Sequence, residues 1–266
     1  MFRGHMSFIQ GLLYYVPTWL LCFFIVGLYV GVSLAGLLLV RKKYPHQKCK
    51  NHNDIGGFIF ATVGVLYAVL LAFTVLIVWQ GFDKAQDIAV NEASCIGSLY
   101  RSADSFPADV KAKLKSELVL YVNAIVDEEW PLMARGRGSE HVQKINDSLW
   151  KHYNHFQAKT ESEKIFLSAS VHHMAHISEL RTKRIAASSE GNHPLIYFIL
   201  IVGSIITIAF SMVFGTENIV PHLIMVALMA AMIAISLVTI IAIDYPFTGD
   251  LSISPAAFTE VLSHLQ

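Results

Sequence analysis

No charged residue falls between Ile55 and Trp79, and the continuation to Leu99 contains no proline and only two isolated glycines, Gly81 and Gly97. An uncharged stretch of this length crosses the ~30 Å of bilayer hydrocarbon as a helix. Beyond it the pattern stays helical into water. At about 100° per residue, Phe60, Tyr67, Leu71, Thr74, Val78, Phe82, Ala85, Ala89, Glu92 and Ile96 share one stripe. The stretch reads as one long rod, half in lipid and half in water, whose common face is the seam of an oligomer or the wall of a pore. On another face Gly57, Ala61, Gly64, Ala68 and Ala72 form a ridge of small residues suited to close approach of a neighbouring helix.

The chain has 266 residues, of which 54% are hydrophobic and 15% charged, whereas soluble domains carry about 25% charged residues. The deficit is concentrated in four uncharged runs: Thr18–Val40, Ile55–Trp79, Pro194–Phe214 and Pro221–Ile243. A multi-pass membrane protein is expected, with the lipid bilayer as its first partner. The first run exceeds the ~7–15 residues of a signal-peptide core and ends in RKK, so it is read as a retained span. Pro17 suits its first turn, and Gly27, Gly31 and Ala35 make a second small-residue ridge. Only GTENIV separates the last two runs, which predicts a tight helical hairpin. Ahead of the first span, Met1–Val16 sets Phe8, Ile9, Leu12, Leu13, Tyr14 and Tyr15 against Arg3, His5 and Gln10, the pattern of an interfacial helix.

The stretch from Gln80 to His193 is polar, carries both signs of charge, and predicts a soluble helical bundle. Asp104 or Ser105 starts a helix with Pro107 in its first turn that runs to about Trp130, burying Val110, Leu114, Leu118, Tyr121 and Ile125. Ser139 opens the next, and Thr160 with Glu163 forms a capping box for a last one toward Arg184. No period-two alternation marks a strand. The expected fold is therefore all-α: four transmembrane helices with a soluble helical bundle inserted between spans two and three. Its segments are residues 1–79, 80–193, 194–243 and a tail, 244–266.

Basic residues do not orient it. Arg41, Lys42, Lys43, Lys48 and Lys50 in the first loop are matched by Arg3, Lys84, Arg181, Lys183 and Arg184 near span ends on the other side, a tie under the positive-inside rule. Lys/Arg and Asp/Glu both number 20, and no basic groove with aromatic platforms points to nucleic acid. Cys22, Cys49 and Cys95 have no pairing or zinc-ribbon spacing. The absence of a phosphate loop, nucleophile elbow or Ser/His/Asp spacing points away from an enzyme and from a cofactor.

Several stretches together resemble the bacterial bestrophin-like domain family: Trp79–Ala85 (WQGFDKA), Glu92-Ala93, Arg101, Tyr121 through Glu129-Trp130-Pro131, and Asp244-Tyr-Pro246-Phe-Thr-Gly249. The likeness runs from about Ile55 to Pro255. Bestrophins have two spans, a helical cytosolic module and two further spans, and assemble as a pentamer around one pore whose apolar neck is lined by the second span. The resemblance thus implies a bacterial inner-membrane location, a cytosolic Gln80–His193 module, and Phe60, Tyr67 and Thr74 near the neck. It marks Trp79, Arg101, Trp130, Asp244, Pro246 and Gly249 as motif positions. It leaves the permeant ion open.

Each candidate has a plainer alternative. Phe60, Tyr67 and Thr74 line a pore or pack against a neighbouring helix. Glu92, the one charged member of the stripe, faces a wet vestibule as a cation-favouring ring, or it pairs within its domain, for example with Arg101. Asp244 serves conduction or turns the chain after span four. His172, His176 and Glu179 share a helix face with metal-ligand spacing or form a solvated surface. The acids Asp127, Glu128 and Glu129 oppose a helix dipole and could mark a cation or partner site. The leading expectation is a homo-oligomeric ion channel. The others are a non-conducting membrane sensor or scaffold whose helical domain binds a partner, and a metal-dependent membrane enzyme.

Overall fold

The structure is a computed structural model that describes residues 7–43 and 53–265. Arg3, His5, Lys48, Cys49 and Lys50, which figured in the sequence reading, lie outside the described residues. Every regular element among the described residues is helical. Four stretches are long and apolar enough to cross a membrane: Thr18–Lys43, Asn53–Ser105, Glu161–Met212 and Ile219–Ile243. The chain forms two compact units, one of Met1–Tyr15, Gly81–Gly191 and Tyr245–Gln266, the other of Val16–Gln80 and Asn192–Asp244.

The second, apolar unit contains α2 (Thr18–Lys43), the first part of α3 (Asn53–Ser102), α8 (Pro194–Met212) and α9 (Ile219–Ile243). Local chemistry sets their ends. Pro17 accepts from the amides of Leu20 and Leu21 ahead of α2, His193 caps α8, and Asn218 accepts from Val220 N at 3.1 Å to start α9. Arg41 donates to the carbonyl and hydroxyl of Thr216, both at 2.5 Å. Asn53 pairs its amide with both backbone groups of Gly215, at 2.8 and 3.0 Å. Together they clamp the α8–α9 turn by satisfying peptide groups that no helix pairs. The helix α2 packs most extensively on α9, and α8 lies against both. Gly36 of α2 is seated against the Met212 side chain, but Gly27 and Gly31 have no neighbour within 4 Å. Among the described residues nothing approaches the Gly27–Gly31 part of that ridge.

The other unit is built on the remainder of α3, with helical hydrogen bonding continuous from Asn53 through Gly81 and Gly97 to Ser102. It is followed by α4 (Ala108–Ala124), α5 (Trp130–Met133), α6 (Glu140–His155) and α7 (Glu161–Ser189). The first helix, α1 (Phe8–Tyr15), and the last, α10 (Ala256–Leu265), belong to it as well. Leu114, Leu118, Tyr121 and Ile125 are buried as the periodicity predicts, against Ala85, Ala89, Ala93, Ile96, Val142, Leu149, Met174 and Ile177. Ser139 caps α6 and Thr160 with Glu163 closes a full capping box on α7. The helix expected to run unbroken to Trp130 does not. Asp104 and Ser105 form a short 3-10 turn, Pro107 precedes α4 without a side-chain cap, and a π turn spans Ile125–Glu129 before α5. Asp104 is instead occupied by Lys111 and Lys115, each at 2.7 Å.

Candidate functional site

The faces of α3 are the first thing the structure decides. Tyr67 is buried, donates to the Leu200 carbonyl at 3.1 Å, and lies so flat on Gly203 that a Cβ there would sit 2.6 Å from its ring. Phe60 stacks on Phe210 and meets Phe214 edge-on, at centroid distances of 5.7 and 5.5 Å. Thr74 is buried and bonds back to the Leu70 carbonyl. Further along, Val78, Ala85, Ala89, Glu92 and Ile96 are buried too. The stripe read from the sequence is real, and the chain itself covers it. Phe60, Tyr67 and Thr74 pack within the apolar unit, as the second of the two readings left open by the sequence has them. The reason is steric: a glycine on α8 lets an aromatic ring on α3 serve as the contact between the two helices.

The uncovered face of α3 is the opposite one. Val65 is 63% exposed, Val69 47% and Phe73 61%, at steps of four residues, and Thr62, Leu76 and Gln80 lie on the same side. Continuing the same helical period, the next exposed positions are Asp83 and Asp87.

Glu92 does not face water either. It is fully buried and takes two bonds from the Arg184 guanidinium, Nε to Oε2 at 2.7 Å and Nη2 to Oε1 at 3.0 Å. The same Nη2 donates to Glu129 Oε1 at 2.9 Å. Glu129 in turn binds Arg181 through both oxygens, at 3.1 and 2.5 Å, and accepts from Ser139 N at 3.0 Å. Arg181 also reaches the Ser139 carbonyl and Gln143. Two acids and two bases thus form a closed, neutral cluster in which nearly every lone pair and N–H has a partner, as burial of charge requires. Burial alone raises the Glu129 pKa, but Arg184 and Arg181 outweigh it and hold the carboxyl below its ordinary range. Burial pushes Glu92 up, offset only in part by Arg184. The π turn aims Glu129 inward; a π turn shifts the side-chain register by one residue. The pairing within the domain is borne by Arg184, and Arg101 instead lies exposed, donating to Ser98 Oγ at 3.2 Å. Of the acidic run, Glu128 pairs with His141 at 2.8 Å.

Trp130 and the Pro246–Gly249 segment, among the motif positions, meet here as well. The Arg184 guanidinium lies 5.3 Å from the ring centroids of both Trp130 and Phe258. Trp130 donates to the Ile253 carbonyl at 3.1 Å and packs edge-on against Phe247 at 5.5 Å. The tail after α9 is held by Ile253 N bonding to the Pro246 carbonyl at 2.8 Å, and it turns at Gly249, whose φ of 84° only glycine adopts readily. The Glu-Trp-Pro segment and the Pro-Phe-Thr-Gly segment, far apart in the chain, are therefore two halves of one contact. Asp244, in the apolar unit, accepts from Asn192 N at 3.0 Å, from the Asn192 amide at 2.5 Å and from the Tyr197 hydroxyl. It joins the start of α8 to the end of α9. Trp79 is exposed on α3.

Among the described residues no three His, Cys, Asp or Glu side chains are placed to hold a metal ion. The His172, His176 and Glu179 side chains are not brought together as such a group. Glu179 is bound by Lys183 at 2.5 Å, and His176 stands 3.6 Å from it on an exposed surface. Arg181 and Arg184 are the residues sequence reasoning missed. Their signal was present: with Met174 and Ile177 they continue one stripe of α7, placing two cations at core positions.

Comparison with solved structures places this arrangement. A crystal structure of a variant of a bacterial bestrophin homolog from Klebsiella pneumoniae matches with a TM-score of 0.70 at 12% identity, covering 92% of this chain and 97% of that one. Another crystal structure of that homolog matches with a TM-score of 0.67 at 12% identity, over 91% and 96% of the two chains. These likenesses concern the fold. No curated protein sequence matches significantly. The bestrophin-like domain profile matches residues 27–258, nearly the whole chain. With its four apolar helices and helical insert, the chain belongs to the bestrophin-like domain family.

Proposed function

We propose that the protein is a homo-oligomeric ion channel in which α3 of each copy faces a central pore with Val65, Val69 and Phe73. The observation that carries this reading is the division of α3 into a face buried in its own subunit and an opposite face left bare through the apolar unit. A rotationally symmetric ring gives every such face the same environment. The aliphatic–aliphatic–aromatic series would form a constriction that gates by dewetting. Membership of the family and the fold shared with a bestrophin homolog support the reading. The resemblance further implies five copies and a cytosolic position for the polar unit in a bacterial inner membrane.

Glu92 contributes no net charge to a vestibule, because Arg184 neutralises it. The exposed carboxylates following the bare face are Asp83 and Asp87. Rings of acids at a pore mouth raise local cation concentration, so the channel is expected to prefer cations.

The experiment is light scattering of the purified chain in detergent, followed by planar-bilayer recording. An oligomer with current, altered conductance in Phe73→Ala, and a reversal potential shifted toward anions in Asp83→Asn/Asp87→Asn support the proposal. A monomer without current refutes it and favours a scaffold. An oligomer whose conductance is unchanged in Phe73→Ala and Val69→Ala removes this face from the pore.

A further inference from the structure

Where α1 joins the polar unit, three chain segments meet. Gln10, buried in α1, donates through Nε2 to the Ser188 carbonyl at 3.0 Å and to Thr248 Oγ at 3.2 Å. Thr248 donates to the Ala134 carbonyl at 3.0 Å. Gly136 lies against the same point. It has a φ of 68°, and a Cβ there would stand 3.3 Å from both Gln10 Oε1 and the Ser189 side chain. Only glycine meets both demands, the left-handed backbone and the close approach.

Chain length alone ties this junction to the bilayer. Tyr15 is three residues from the start of the first span at Thr18, Ser189 is five from Pro194, and Thr248 is five from Ile243. At no more than ~3.5 Å per residue, each lies within about 20 Å of the end of an apolar helix.

The outward side of the junction has a definite chemistry. Arg135 and Arg137 flank Gly136 and are both exposed. Arg135 donates to the Tyr14 hydroxyl at 2.7 Å and stands over the Tyr14 ring at 4.9 Å. Among the described residues the Arg137 side chain has no hydrogen-bond or ion-pair partner. Beside them α1 exposes Phe8 (85%) and Tyr15 (75%), while its Leu13 is buried. Exposed acids close along the chain to the segments that meet here include Glu128, Glu140, Glu190 and Asp250; Glu128 is bound to His141 at 2.8 Å and Asp250 is engaged elsewhere. Two exposed guanidiniums in one short turn, the first of them on α1 through Tyr14, next to a helix that exposes aromatic side chains, have the chemistry that takes a headgroup phosphate above the glycerol and upper acyl region.

We propose that α1 and the Arg135–Gly136–Arg137 turn form an interfacial site for anionic phospholipid, with the phosphate on the two guanidiniums and Phe8 and Tyr15 in the acyl boundary. Arg135 is prepositioned by Tyr14, and Arg137 closes on the lipid. A basic side chain at an anionic surface is worth ~1 kcal/mol, about five-fold in affinity.

Native mass spectrometry of the full chain tests this, with equal phosphatidylglycerol and phosphatidylcholine in neutral detergent. The wild type is expected to retain phosphatidylglycerol preferentially. Arg137→Gln should lower that preference about five-fold with unchanged Tm, because its side chain has no hydrogen-bond or ion-pair partner among the described residues. Phe8→Ser should weaken retention of both lipids, and Lys151→Gln, an exposed base on α6, should change nothing. Unchanged retention in Arg137→Gln overturns the proposal. So does displacement of the lipid by millimolar inorganic phosphate, which would make the turn a free-anion site.

Discussion

Replacing Arg184 with Met isolates the electrostatic role of the buried cluster. Methionine keeps an unbranched stem of similar length against Trp130 and Phe258, so packing is largely retained. The bonds to Glu92 and Glu129 are lost, and the two carboxylates fare differently. Glu129 still has both Arg181 contacts and the Ser139 amide. Glu92 has no other hydrogen-bonding cation among the described residues and remains fully buried. Breaking a buried pair from one side costs about 3–5 kcal/mol, mostly through the charge left behind. At ~2–4 °C per kcal/mol for a domain of this size, Arg184→Met should lower Tm by roughly 6–20 °C.

The double variant Arg184→Met/Glu92→Gln supplies the check, since it removes the stranded charge while keeping its shape. Its Tm should lie above that of Arg184→Met alone, with about 2 kcal/mol recovered as a coupling energy. The measurement is thermal unfolding of the full chain in detergent, followed by circular dichroism and tryptophan fluorescence. If Arg184→Met shifts Tm by under 2 °C, or if the double variant is no more stable than the single, the cluster is not a coupled unit and the reasoning fails.

Three further outcomes are expected. Gly203→Val places a side chain where the Tyr67 ring lies; overpacking of this kind costs about 1–3 kcal/mol, read as a lower Tm of the detergent-solubilised chain. Asp244→Ala leaves the Asn192 amide and Tyr197 hydroxyl without their acceptor, a loss of about 1–3 kcal/mol that should appear as faster proteolysis of the link between α7 and α8. The third concerns acid. The folded Glu129 pKa lies below its unfolded value of about 4.5, so its stabilisation is complete well above that pH and is lost as pH falls through the folded pKa. The wild type should lose Tm below about pH 4.5 more steeply than Glu129→Gln, and parallel profiles would refute the assignment.

How much of this was legible in the sequence depends on what kind of information each feature needed. Helices, caps and spans are local, and Ser139, Thr160–Glu163 and the four uncharged runs identify them without the rest of the chain. The stripe along α3 was also legible, because its period is a property of one helix. Its direction was not. Phe60, Tyr67 and Thr74 form a coherent face, and so do Val65, Val69 and Phe73; periodicity groups residues without saying which group has a partner. The deciding fact lay on another element, where Gly203 offers a flat seat that only a large ring fills.

The same limit governs the charges, and it suggests a better rule for reading such chains. A carboxylate at a core position needs a cation, and the nearest in sequence to Glu92 was Arg101, on its own helix. Yet Arg101 falls outside the buried stripe of α3, whereas Arg184 and Arg181 extend the Met174–Ile177 stripe of α7. A buried acid should be matched with cations that occupy apolar stripes of other helices, because only these are carried into the same interior when the stripes pack together. Applied to this chain, the rule pairs Glu92 with α7 before any coordinates are known. It cannot find Glu129, whose inward aim depends on the π turn at Ile125–Glu129 and thus on a local change of helical register. The conjunction of Trp130 with Phe247 has a comparable logic: two motif segments with no local reason to persist as motifs become intelligible once each is the other's contact surface.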